Sequence, residues 1–293
     1  MAIDRVWIGG TSADPETDAN WDPAGPLVTL DNLIFNDQAQ QLCNGQNLGA
    51  ITVTIQVEES FPYTIGSSGD PLIVDGINYL RFMGTAAGAS YITTDTTDTD
   101  LCVLDSPSTA NPVLVLNGTV KSISIRRGRM ALASTAVASQ RADVVASAGG
   151  LTAELTIPAG VTTTGLIVFV KGGKAIISAT VPDVEVKSGE VVLSGTAGVT
   201  GRVEQSGGQF WWDAQSTIAL AEVSGGKFGF RNSRRTRTLT AGILSGDGEM
   251  DFSIGGLKDS LFTNGILLLG ENMPKVPRGA VLTISSNSSG FAR

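Results

Sequence analysis

The sequence predicts an all-β chain wound as a solenoid, with one apolar column along its axis. Three observations carry that prediction: apolar and polar residues alternate with a period of two through much of the chain, glycine supplies 36 of the 293 residues, and a glycine-led phrase recurs through its middle. Alternation puts successive side chains on opposite faces of a strand, so it marks strands buried on one side. Residues 51–57, 120–125, 166–170 and 183–187 are strand patterns of this kind, rich in β-branched side chains.

The phrase reads glycine, polar, apolar, any residue, apolar, then small or polar. It occurs as GRMALA from Gly128, GKAIIS from Gly173, GEVVLS from Gly189, GQFWWD from Gly208, GKFGFR from Gly226 and GEMDFS from Gly248, with a weaker copy, GGLTAE, from Gly149. Successive anchors lie 16 to 24 residues apart and average 20, a spacing typical of stacked repeats. Within each copy the alternation points a pair to one side: Met130 with Leu132, Ala175 with Ile177, Val191 with Leu193, Phe210 with Trp212, Phe228 with Phe230, Met250 with Phe252. A glycine ahead of each strand allows the positive φ of a tight turn, so each unit reads as strand, glycine corner, strand. One coil cannot bury its own apolar face; neighbours must stack at about 4.8 Å per coil, joined by ladder hydrogen bonds.

Two competitors need answering. Residues 130–148 are alanine-rich and would be helical on propensity alone, but the repeat that follows favours strands there. A β-sandwich also places turns at short intervals; against it, the core positions stay in phase with glycine through unequal gaps. The chain therefore divides into an N-terminal arm at residues 1–44, a solenoid at 45–270 with its regular coils at about 119–255, and a C-terminal cap at 271–293. Strands between residues 64 and 118 are less regular and read as early coils or a lateral layer. The tail carries two prolines and a Ser/Asn run, and a solenoid end needs its unpaired edge covered.

Composition excludes several functions. The chain has no histidine, which removes Ser-His-Asp, Cys-His and His-metal mechanisms. Its net charge of −8 argues against nucleic acid or an anionic membrane as a partner of the surface as a whole. Cys43 and Cys102 lack the spacing of a metal knuckle or a disulfide framework and are expected to be free, buried thiols. The N-terminus has no basic stretch followed by an apolar run, and no segment approaches the ~20 apolar residues that cross a bilayer. Folding in a cytoplasm is expected, with no cofactor and no metal.

The opening segment has a distinct layout: Trp7, Gly9 and Gly10, then Asn20 and Trp21, Pro23, and Asp31, Leu33 and Phe35. It resembles the N-terminal segment of right-handed β-helix proteins found in bacterial autotransporter passengers and in bacteriophage structural proteins. Autotransporters normally carry a signal peptide and a translocating barrel, neither of which is seen here, so the phage branch fits better. That resemblance implies a virion protein, either a decoration (cement) protein on the capsid or a fibre component, often trimeric.

Four groups of residues are candidates for chemistry or contact. Asp247, Glu249 and Asp251 alternate along one expected strand, at separations that overlap those of glycosidase carboxylates; no aromatic platform lies beside them in the sequence, and a solvated face is the favoured reading. Trp211 is expected to face outward between inward Phe210 and Trp212, free to meet a partner, a sugar or another subunit. Arg231, Arg234, Arg235 and Arg237 form one basic cluster and Arg126, Arg127 and Arg129 another, suited to carboxylates of a shell or a neighbouring protomer. Asp95, Asp98 and Asp100 bring calcium to mind, but the loop lacks the mid-loop glycine and terminal glutamate of an EF-hand.

The expectation is a non-enzymatic virion structural protein, located in the virion after synthesis in the host cytoplasm. Its partners would be the major capsid protein or another virion protein and further copies of itself, as a homotrimer, with no nucleic acid and no membrane. The alternatives are a fibre or spike that binds or cleaves a surface polysaccharide, and a bacterial surface adhesin.

Overall fold

Strand pairs with strand one full coil later, in parallel, from the first described residues to the last coils. The computed structural model describes residues 3–146, 152–232, 235–256 and 259–279. It is a β-solenoid of about 11 turns, with 54% strand and 1% helix.

Three ladders run along the axis. The first begins with Asp4–Trp7, Asn32–Phe35, Thr52–Val57, Gly76–Phe82 and Thr99–Asp105, and continues without interruption to Thr238–Ser245 and Ile266–Leu269. The second joins Leu72–Val74, Ser90–Thr94 and Leu114–Asn117 to the later half of Thr119–Leu132, then Ala153–Ile157, and ends at Glu249–Asp251. A third, narrow ladder holds positions such as Val199, Ile218, Leu239 and Leu261. Residues 64–118 are thus coils of the same stack, not a lateral layer, and the stack already starts inside the N-terminal arm. Residues 130–146 are not helical, as the repeat required: Thr119–Leu132 ends there and, after a short turn, Val137–Val144 follows, with Ala138 and Ala142 fully buried. Ala148 lies outside the described residues.

The glycine corners differ from expectation in one respect. They do not separate two strands; Ile167–Ile177, Asp183–Leu193, Val199–Trp212 and Thr217–Gly229 each run through the corner as one bent strand. Glycine is required there for two reasons. Its φ is positive, +90° at Gly173, +85° at Gly189, +65° at Gly208 and +74° at Gly226. The coil below also leaves no room: a Cβ would lie 2.4 Å from the Gly173 carbonyl oxygen at Gly189, 2.6 Å from that of Gly189 at Gly208, and 2.4 Å from that of Gly208 at Gly226.

The weak copy at Gly149 is corrected. Register aligns Gly128 with Ala153, and Glu154 with Lys174, so the corner position of that coil is Ala153, four residues after Gly149. Gly149 itself lies outside the described residues. In the last copy the positive φ moves from Gly248 to Gly246.

Every inward pair read from the phrase lands in the core, in register. Met130, Leu155, Ala175, Val191, Phe210, Phe228 and Met250 occupy successive rungs of one buried column. Aromatic side chains concentrate towards the ends. Phe210 stacks on Phe228 with centroids 4.9 Å apart, and Phe230 and Phe252 follow at 4.8 Å.

At the N-terminal end the motif residues build a cap. Trp21–Asp22 pairs antiparallel with Asp4–Trp7, which ends the parallel series there. Trp7 and Trp21 meet edge to face at 5.1 Å, and Phe35 packs beneath Trp21 at 5.8 Å. The buried Asn20 carboxamide accepts from the backbone N–H groups of Thr11 (2.9 Å) and Ser12 (3.1 Å) and donates to the Asp14 carbonyl (2.8 Å), which fixes the loop over the end. Below it, Arg5 and the fully buried Asp31 form an ion pair at 3.4 Å, and Asp31 also accepts from the backbone of Ile3 and Val28. At the other end, Lys275 adds one further rung by pairing beside Asp251. Residues 280–293, the rest of the expected cap, lie outside the described residues.

Three substitutions test these constraints. Gly195 has φ of +65° with nothing near its absent Cβ, so Gly195→Ala should cost about 1 to 2 kcal/mol of backbone strain. Gly189→Ala adds overpacking against the coil below and should cost about 3 to 4 kcal/mol; equal losses in urea unfolding would mean that stacking imposes no such limit. Asp31→Ala strands the buried Arg5 charge and should cost about 3 kcal/mol or more, read from the same unfolding curves.

Candidate functional site

The residue that follows each corner glycine points outward from the second ladder, and these residues stack in one column. Arg129, Glu154, Lys174, Glu190, Gln209, Lys227 and Glu249 occupy successive rungs. Their charges alternate in sign from rung to rung, with one neutral residue at Gln209. Neighbours pair along the column: Lys174 with Glu190 at 3.4 Å and Lys227 with Glu249 at 3.8 Å. Lys275, in register with Asp251, reaches across to Glu249 with its ammonium at 2.6 Å.

Two residues further along each strand lies a second outward column with an apolar run. Val115, Ala131, Thr156, Ile176, Val192 and Trp211 follow one another in register. Trp211 faces outward as its place in the phrase required, while Phe210 and Trp212 are fully buried. Its half-buried ring is flanked by Lys227 and Arg231, each 5.7 Å from the centroid.

The outward face of the first ladder is different in character. Asp143, Phe169, Glu185, Glu204 and Glu222 stack there in register, four of them acidic. Arg202 and Lys187 lie against Glu204 at 3.3 and 3.1 Å.

The arginine clusters are dispersed by the fold. Arg231 reaches across coils, 2.6 Å from Asp213 and 3.2 Å from Glu190. Arg237 is 1% exposed, lies 4.0 Å over the Phe230 ring and donates to Asn232. It cannot dock a partner, and its expected role is corrected: the loop folds back so that this guanidinium fills the corner beside the buried Asp259. Arg235 is exposed, and Arg234 lies outside the described residues. In the earlier cluster Arg127 pairs with Asp105 at 2.9 Å, Arg129 donates to the Thr109 carbonyl at 3.2 Å, and Arg126 is exposed.

The carboxylate groups are also accounted for. Asp247 sits in the turn before Glu249–Asp251, not in the strand, so the three do not share one face. Burial would raise the pKa of Asp251, but hydrogen bonds from Ser253 and Lys227 outweigh it and hold the carboxyl at about 2. Such a group is ionised at neutral pH and unsuited to donate a proton to a glycosidic oxygen. Asp98 and Asp100 both clasp the ammonium of Lys121, at 2.9 and 2.7 Å, so a lysine already stands where a cation would. Asp95 is exposed. Among the described residues no group of three or more His, Cys, Asp and Glu is placed to hold a metal ion. Cys43 and Cys102 are free and buried, and burial pushes the Cys102 thiol up to about 12.

Sequence reasoning missed both outward columns. Part of the signal was present: the polar slot gives Lys174, Glu190, Gln209, Lys227 and Glu249 in order, but Glu154 falls outside the misplaced copy at Gly149, and the meaning of the series depends on the rungs lying in register.

Comparison with known proteins returns nothing: no family model, no curated protein and no solved structure matches this chain. The likeness to β-helix proteins therefore holds for the fold, and no match supports a phage relationship.

Asp251 offers a pH test. Its pKa is lowered on folding from 3.8 to about 2, so its ionised form stabilises the fold fully above pH 4 and that contribution is lost as pH falls through 2. The stability difference between the parent chain and Asp251→Asn should be constant from pH 7 to about 5 and shrink towards pH 2, measured by urea unfolding across that range.

Proposed function

We propose that this chain is a non-enzymatic structural protein of a bacteriophage particle, a decoration protein that binds the shell as a symmetric oligomer. The observation that carries the structural reading is the fate of the carboxylates. The strand pair Glu249 and Asp251, and the pair Asp98 and Asp100 at the start of Thr99–Asp105, are each clasped by lysine from a neighbouring coil. Such cross-coil pairing fits a surface that locks rungs together. The virion assignment is supported by the opening motif, whose Trp7, Asn20, Trp21 and Phe35 are spent on capping the stack. Shell contact falls to the exposed arginines of the two clusters that make no ion pair among the described residues, Arg126 and Arg235, since Arg231 is held by Asp213 and Glu190.

The polysaccharide-cleaving alternative is less well served, because the ring of Trp211 is flanked by two cations and Asp251 is held ionised.

Purified particles test the proposal. Quantitative mass spectrometry should find the chain in many copies at a fixed ratio to the major shell protein. A few copies per particle would favour the spike, and absence from particles would sink the virion reading. The double variant Arg126→Ser, Arg235→Ser should lower occupancy several-fold at moderate salt; unchanged occupancy would remove these arginines from the contact.

A further inference from the structure

We propose that the outward face of the second ladder is a contact surface for a second copy of this chain, placed antiparallel about a two-fold axis at Gln209. The inference rests on the structural reading above and supplies the contact that reading leaves open.

The charge pattern carries it. From Lys174 the column reads positive at Lys174, negative at Glu190, neutral at Gln209, positive at Lys227 and negative at Glu249. A two-fold axis through Gln209 reverses that order in the partner. Lys174 then meets Glu249 of the second copy, and Glu190 meets Lys227. Each charged rung from Lys174 to Glu249 faces the opposite sign. The rung on the axis must face itself, and it is the one rung without a charge. Moving the axis half a rung breaks this match, since Glu190 would then face Gln209 and Lys174 would face Lys227. A uniformly acidic or basic partner would gain at alternate rungs and lose at the others.

Two further features agree. Trp211 lies in the same strand as Gln209, next to the axis, where a buried aromatic contributes most to a contact. The first ladder's outward face stacks like charges at Glu185, Glu204 and Glu222, so it offers no alternation for a reversed copy to match. Self-association is thereby directed to one side of the solenoid. The arrangement is closed, as two-fold pairs are, whereas a parallel pair offset by one rung would also match charges but would continue into a filament.

The strip covers four rung spacings of about 4.8 Å, about 19 Å, by a strand of about four residues or 13 Å. That is roughly a third of the ~800 Å² per partner of a standard interface, so a weak, concentration-dependent dimer is expected. The flanking charges set register and specificity more than affinity.

Sedimentation velocity on the full chain from about 1 to 200 µM should show a reversible rise from monomer to dimer mass, in the affinity range of weak complexes. Trp211→Glu should weaken dimerisation at least about tenfold, while Glu204→Gln on the other face should leave it unchanged. Gln209→Cys tests the axis directly. The native thiols are buried, so mild oxidation should give a disulfide-linked dimer, whereas Lys174→Cys alone should remain monomeric and should cross-link when mixed with Glu249→Cys. Thermal melting confirms that each variant is folded. A chain that stays monomeric throughout, a Trp211→Glu variant that dimerises like the parent, or Lys174→Cys cross-linking with itself would each overturn the proposal. Absence from virions, by contrast, would sink the virion assignment and leave a solution dimer standing.

Discussion

The corner glycine is the constraint from which the rest of the solenoid follows. Parallel rungs about 4.8 Å apart leave no space between the backbone of one corner and the carbonyl of the corner below. At Gly189, Gly208 and Gly226 a Cβ would meet that carbonyl at 2.6 Å or less. With glycine in place the strand bends without ending, so the ladder bonds on either side of the corner stay in register. Register then decides everything laid upon it: which apolar residues stack in the core and which charges stack outside. Where the corner is Ala153, the coil cannot bend through a positive φ, and the strand begins afresh there.

A stack of identical rungs has open ends, and the two ends are treated differently. At the N-terminus a two-residue antiparallel strand, the Trp7–Trp21–Phe35 cluster and the Asn20 network close the first rung. Large aromatic side chains suit an end because they cover a core that lacks a neighbour on one side. Near the C-terminus the aromatic run from Phe210 to Phe252 widens the core in the same way, while Leu267, Leu269 and Met273 are left exposed.

The surface follows a second rule. Long charged side chains on one rung find partners on the next, as in Lys227 with Glu249 and Lys121 with Asp98. Exposed pairs of this kind add little stability. Their effect is to set which faces of the rod are neutral and which are acidic, and so how the rod can meet another surface. The second ladder presents alternating signs and an apolar stripe; the first presents stacked acids.

Much of the fold was legible before any coordinates, because period-two alternation and recurrent glycine are local properties. They determined the all-β class, the coils from Gly128 onward, the inward pairs from Met130 and Leu132 to Met250 and Phe252, and the outward position of Trp211. Other questions were not local. The sequence could not tell that Arg237 is buried over Phe230 while Arg235, two residues earlier, is exposed, since loop path and not residue type separates them. Nor could it tell that the corner lies at Ala153 and not at Gly149, or that Lys121 answers Asp98 and Asp100 from the next coil. Each of these depends on what the neighbouring rung places alongside, and distance through space between residues about 20 positions apart is set only once the coils have stacked.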